Sequence, residues 1–221
     1  MPQLLTSRAH QNHTEWAERI EVTGQQPRGF RVIPDFVDES GRARISSWLR
    51  THVSWSWRGL SEMPPAQGFP NQHADMPEWS RLLADRLCGM RIFPKAPDHV
   101  YIIHYQAGKG MYPHIDKPEF GEVIACLTLD TSRIFELFPV KGRGCTRVLL
   151  LPGDLYIMSG EVRHRWKHSV PATLSDEFRG RTYPRTNGFA VTWRIHEASN
   201  GDPTKSGRSW LDSVKRAFHR E

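Results

Sequence analysis

Apolar and polar positions change rhythm twice along this chain. Residues 1–28 are polar and rich in His, Gln and Arg, and read as a loose arm. Gly29-Phe-Arg-Val-Ile-Pro-Asp-Phe36 then alternates as a strand does. Asp38-Glu39-Ser40 caps a helix whose apolar stripe is Ala43, Ile45, Trp48 and Leu49. A second helix opens at Pro77, carries Glu78, Trp79, Leu82, Leu83 and Leu87, and stops at Gly89. Between them, residues 55–75 hold Pro64, Pro65, Gly68 and Pro70 among aromatics, and are expected either to form a substrate lid or to meander over the surface. From residue 100 the period shortens to two, predicting strands at 100–106, 114–117, 123–130, 134–139, 147–151, 154–159, 164–168 and 190–196. Gly-rich turns at 107–110, 141–144 and 152–153 separate several of them. Two helices followed by a run of short strands predict an α+β, mainly β protein. Its core would be a double-stranded β-helix, the cupin-like jelly roll, with the two N-terminal helices packed on it. One domain is expected over 29–200, with a helical and lid part at 29–96 and a β core at 97–200. An arm (1–28) would precede it. A C-terminal helix (201–221) carrying Trp210, Leu211, Val214 and Phe218 would follow.

Composition narrows the class without naming a function. A hydrophobic fraction of 38% with eight Trp and ten Phe suits a globular domain, and the 16 Pro and 17 Gly suit a loop-rich β architecture. The net charge of +6 permits an anionic partner. Cys88, Cys126 and Cys145 have no paired spacing and read as thiols of a reducing compartment. There is no apolar run of membrane-spanning length and no secretory h-region. The expectation is a monomer with no membrane association, cytoplasmic, or nuclear in a eukaryote.

The chemistry centres on His114-Ile-Asp116. Two residues apart on an extended strand, His114 and Asp116 face the same way, so an imidazole nitrogen and a carboxylate oxygen can share one metal ion. A third ligand must come from a later strand. His168 is the candidate, and His164 in Arg163-His-Arg-Trp-Lys-His168 competes with it. Two histidines and one carboxylate on one face of a metal leave the opposite positions open, the arrangement of non-haem Fe(II) oxygenases. A second His-x-Asp, His73-Ala-Asp75, lies in a Pro/Gln/Asn loop and reads as a solvated pair. Oxygen activation of this kind draws electrons from an α-keto acid. Arg194, in Thr192-Trp-Arg194, is the candidate cation for its carboxylate.

With these residues in place, the chain resembles the AlkB family of Fe(II)/2-oxoglutarate dioxygenases. The resemblance rests on Gly29–Phe36, Met76-Pro-Glu-Trp79, Pro97-Asp-His-Val-Tyr-Ile-Ile-His-Tyr105, Gly110-Met-Tyr-Pro-His-Ile-Asp116, Leu151-Pro-Gly-Asp-Leu-Tyr-Ile-Met-Ser-Gly-Glu161 with Arg163 and His168, and Thr192-Trp-Arg194. It implies that His114, Asp116 and His168 are the Fe(II) ligands, and that Tyr105, Thr192 and Arg194 contact 2-oxoglutarate. The stretch from Gly160 to His168 looks closest to the tRNA wobble-uridine hydroxylase branch, without that enzyme's further domains. The chain departs from the family pattern on its last strand, where Gly188 and Ala190 replace an arginine and an Asn or Ser. Arg185 could supply the missing carboxylate contact only through a bulge. Ile103 replaces an Asn two positions before Tyr105. Pro118 replaces an acidic residue found in the bacterial DNA-repair members.

The resemblance implies oxidative demethylation of N-alkylated DNA or RNA bases, with O2 as co-substrate and formaldehyde, succinate and CO2 as products. A base must then enter the pocket, and Trp55, Trp57, Arg58, Phe69, Arg163 and Arg165 (with Lys167) are the candidates for stacking and phosphate contact. One alternative is hydroxylation or demethylation of a protein side chain, a modified tRNA nucleoside or a small metabolite. Another is a non-catalytic binding module whose 2-oxoglutarate site has decayed, suggested by Gly188 and Ala190.

Overall fold

Strand alternation in the second half of the chain builds two antiparallel sheets that face each other across a shared interior. The computed structural model describes residues 18–53, 66–68 and 73–196. Among the described residues, one sheet has the order β1-β8-β7-β10-β5, from Ile20–Gly24, Gly144–Leu150, Arg133–Pro139, Trp166–Val170 and Met111–His114. The other has the order β2-β9-β6-β13-β4-β3, from Phe30–Ile33, Leu155–Ser159, Val123–Leu129, Gly188–Arg194, His99–Tyr105 and Ala66–Gly68. A hairpin, β11 (Ser175–Phe178) and β12 (Arg181–Pro184), covers the outer face of the first sheet. This is the expected jelly roll.

The two faces of the six-stranded sheet do different jobs. On β13, Phe189, Val191 and Trp193 point to helix α1 (Glu39–His52) and helix α2 (Glu78–Gly89), where they join Ile45, Leu49, Leu83 and Leu87 in the main apolar core. Fully burying each such side chain contributes about 1.5–3 kcal/mol. Trp193 avoids leaving a buried donor unmet because its Nε1 donates to Ser80 Oγ at 2.9 Å. The alternate residues, Gly188, Ala190, Thr192 and Arg194, turn to the interior between the sheets. There they lie in register beside Tyr105, Ile103, Tyr101 and His99 of β4. Helix α1 starts where expected, with Asp38 Oδ1 accepting from the Gly41 amide at 2.8 Å. No described helix is long and apolar enough to cross a membrane.

Three local expectations fail, each for a physical reason. Order begins before residue 29, because Ile20–Gly24 pairs with β8 as an edge strand; one polar-flanked edge strand carries too little alternation to stand out. The strand predicted at 114–117 ends at His114, so Asp116 lies in the loop leading to a 3₁₀ turn at Pro118–Phe120. The strand predicted at 164–168 is split into a short helix, α3 (Gly160–Arg165), followed by β10. The expected tail helix at 201–221 and most of the lid segment lie outside the described residues.

Candidate active site

Pairing of β10 with β5 puts His168 directly opposite His114, with ring centroids 4.2 Å apart. Close approach of the two strands needs Gly110, where a Cβ would run into the backbone at Val170–Ala172. The loop after β5 returns Asp116 to the same spot, with Oδ1 3.8 Å from His114 Nε2 and Oδ2 4.0 Å from His168 Nε2. Ligand atoms of the three side chains all lie within 4.8 Å of one another. Donors bound about 2.0–2.2 Å from one ion sit roughly 3 Å apart, so small side-chain rotations close this set on a metal. Two imidazoles and a carboxylate are also the right donor chemistry for Fe(II).

Neighbouring groups hold each donor in its ligating form. His114 Nδ1 lies 2.9 Å from the Tyr112 carbonyl, which can only accept, so Nδ1 carries the proton and Nε2 keeps a free lone pair. Burial, followed by the field of His114, pushes His168 down to about 3 and keeps it neutral. Burial opposes ionisation of Asp116, but the surrounding field, in which Arg194 and Arg163 are the permanent cations, outweighs it and holds its carboxyl below the usual range.

With Asp116 outside the strand, the alternation argument is replaced by a brace. Arg163 was a candidate substrate contact, yet it is 2% exposed in α3. Its guanidinium donates to the carbonyls of Asp116 (3.0 Å), Lys117 (2.7 Å) and Gly121 (3.0 Å). These contacts engage the guanidinium with the loop that carries Asp116. The helical turn also separates the two histidines: His164 faces solvent, 2.9 Å from Glu122, and takes no part in the triad. Arg165 and Lys167 are exposed, whereas Trp55, Trp57, Arg58 and Phe69 fall outside the described residues. The second His-x-Asp forms a 3₁₀ turn in which His73 pairs with Asp85 at 3.0 Å, remote from the triad in the fold.

Around the triad, the interior carries three further cations. Arg194 Nη1 lies 3.6 Å from Asp116 Oδ1; its guanidinium is 3.6 Å above the centre of the Phe120 ring and 5.1 Å from that of Tyr101. Its Nε donates to His99 Nδ1 at 3.1 Å, and burial, followed by Arg194, pushes His99 down to about 3, leaving a neutral acceptor. His99 is a missed residue of the site. Its signal was its place opposite Arg194 in the β4–β13 register. Thr192 donates to Cys126 Sγ at 3.3 Å, and Tyr105 is buried in the same interior cluster.

Arg185 is engaged within the fold. It grips Asp176 through two bonds of 2.5 and 2.6 Å and donates to the Pro171 carbonyl, while Asp176 also accepts from the Ile134 amide. Arg185→Met should therefore lose about 3–5 kcal/mol of stability in denaturant unfolding, because it strands a buried carboxylate. Keto-acid affinity measured by calorimetry should be unaltered. The third cation, Arg133 at the start of β7, was also missed. It lies 4.4 Å above the Tyr105 ring.

A jelly roll with a His, Asp, His metal set opening onto an interior of buried arginines defines an iron-dependent oxygenase site. Comparison with known proteins agrees: the chain belongs to the 2OG-Fe(II) oxygenase superfamily, whose sequence profile matches residues 2–194. The family uses Fe(II) and 2-oxoglutarate, and the His114, Asp116 and His168 set could hold the metal. It is 26% identical over 181 residues to an uncharacterised protein, L905, of Acanthamoeba polyphaga mimivirus, covering 75% of this chain and 84% of that one. It is 20% identical over 205 residues to a probable RNA/DNA demethylase, ALKBH6, of Danio rerio, covering 78% and 88%. Its fold matches the structure of OsALKBH1 with a TM-score of 0.56 at 16% identity, over 77% of this chain and 99% of the other.

Proposed function

We propose that this dioxygenase removes N-methyl groups from nucleic-acid bases, with His114, Asp116 and His168 holding the iron. The observation that carries the metal assignment is the triad itself, in which His114 Nε2 is left free and Asp116 is kept ionised. When bound, iron and 2-oxoglutarate supply O2-dependent hydroxylation of a substrate C–H bond, with succinate and CO2 as co-products. Tyr112 orients His114 through its carbonyl, and Arg163 fixes the loop that presents Asp116. Arg194, held by His99 beside Asp116, offers a cation to the anionic end of a keto acid bound there. Tyr105 and Thr192 line the same interior. Hydroxylation of an N-methyl group yields a hemiaminal, which loses formaldehyde and leaves N–H on the base.

The substrate assignment draws support from the likeness to ALKBH6 and from the net charge of +6. It is tested by loading Fe(II) and 2-oxoglutarate without oxygen, then admitting O2 in the presence of methylated oligonucleotides. Wild type should release succinate and formaldehyde in equal amounts, and His114→Ala should release neither. Succinate without formaldehyde across the oligonucleotide panel would remove N-demethylation of these bases as the reaction while leaving the oxygenase in place.

A further inference from the structure

We propose that Arg133 binds the distal carboxylate of 2-oxoglutarate, so that the cation setting dicarboxylate specificity comes from β7 rather than from β13. This rests on the oxygenase reading above. Arg133 opens β7, an interior strand of its sheet, and is 3% exposed. It shares a face with Phe135 and Leu137, both in the cluster between the sheets, whereas Ile134 turns outward to Leu149 and Phe178. The guanidinium therefore belongs to the interior that the metal triad also faces.

Among the described residues, its surroundings offer it no anion. None of Nε, Nη1 and Nη2 meets a hydrogen-bond acceptor among the described residues. The ionisable groups that act on it are Tyr105, Arg185, Cys126 and Tyr156; burial pushes the two tyrosines and the cysteine up, so each stays neutral, and Arg185 is a second cation already paired with Asp176. The other buried guanidiniums are met: Arg185 by Asp176, Arg163 by three carbonyls, and Arg194 by Asp116 and His99. A buried cation with no counter-charge is unfavourable enough that cores pair it or reserve it for a ligand.

The geometry suits a five-carbon dicarboxylate. Phe135, two residues along β7 on the same face, packs its ring 5.6 Å from that of His168. Leu137 is the register partner of His168, so Arg133 lies about 13 Å further along the strand on the same face. Cys126 and Tyr156 lie in the same interior cluster as Tyr105 and Phe135. Gly188 keeps the space open: a Cβ there would come 3.1 Å from Arg133 Nη2 and 2.6 Å from the Leu129 carbonyl. A planar guanidinium with free donors is matched by a carboxylate in two-point contact.

The test compares two keto acids on the anaerobic Fe(II) protein by calorimetry: 2-oxoglutarate, and pyruvate, which lacks the distal carboxylate. In wild type, 2-oxoglutarate should bind far more tightly. In Arg133→Met its affinity should fall on the order of 100-fold while pyruvate affinity holds, so the preference collapses. Without ligand, Arg133→Met should melt at or above wild type, because an unpaired buried charge has been replaced by an apolar side chain. A structural arginine would instead lower the melting temperature. Arg133→Lys keeps the charge without the fork and should retain part of the preference. Undiminished preference in either folded variant overturns the proposal, as does equal binding of the two acids by wild type. A wild type that takes iron and binds neither acid overturns the oxygenase reading itself.

Discussion

Asp116→Ala protein should emerge without stoichiometric iron and release no succinate from 2-oxoglutarate. The loss should exceed the roughly 10- to 100-fold typical when an outer partner of a metal ligand is removed. Two effects add. The set loses its anionic donor, and Arg194, whose Nη1 lies 3.6 Å from Asp116 Oδ1, becomes a buried cation facing the place where a divalent ion must sit. The variant should also unfold at lower denaturant than wild type, since that guanidinium has lost its counter-charge. Asp116→Asn separates the two contributions. It keeps an oxygen donor of the same shape but no charge, so it should take up iron more weakly than wild type and better than Asp116→Ala. Elemental analysis of the purified proteins and succinate assay measure both. Normal iron content in Asp116→Ala would remove this residue from the metal set.

What the sequence disclosed of this site was its chemistry rather than its supports. The apolar alternation after residue 99 led to the jelly roll, and the donor types led to His114, Asp116 and His168. Choosing His168 over His164 from the residues alone was impossible, because both share a face if 164–168 is a strand. Only the turn of α3 at Gly160–Arg165 separates them. His114 and Asp116 do converge, but not by strand alternation, because β5 stops at His114. Arg133, Arg163 and Arg185 are the clearest gap. Each is one charged residue in a mixed stretch, where solvent exposure is the ordinary outcome. All three are buried because of tertiary contacts: Tyr105 for Arg133, the loop from Asp116 to Gly121 for Arg163, and, across the β11–β12 hairpin, Asp176 for Arg185. Pattern reading carries no information about such contacts. The open question of the second carboxylate at Gly188 and Ala190 came from looking along one strand, when the free guanidinium sits on a strand of the facing sheet.

Arg163→Ala should be among the most damaging substitutions outside the triad, and its damage should fall on iron as well as on stability. The wild-type guanidinium meets the carbonyls of Asp116, Lys117 and Gly121, tying both ends of the loop that carries the carboxylate ligand to α3. Truncation leaves those carbonyls without their donor and the loop without an anchor, a loss of about 3–5 kcal/mol in denaturant unfolding. A loosened Asp116 should then weaken Fe(II) binding by roughly 10- to 100-fold. Arg163→Lys restores the charge but presents one compact ammonium where three carbonyls need a rigid fork, so iron affinity should recover only in part. The informative control is Arg185→Met. It breaks a buried ion pair that does not touch the Asp116 loop, so it should lower stability and leave iron affinity intact. Equal iron affinity in Arg163→Ala and Arg185→Met would show that Arg163 serves the fold alone and that Asp116 is held by other contacts.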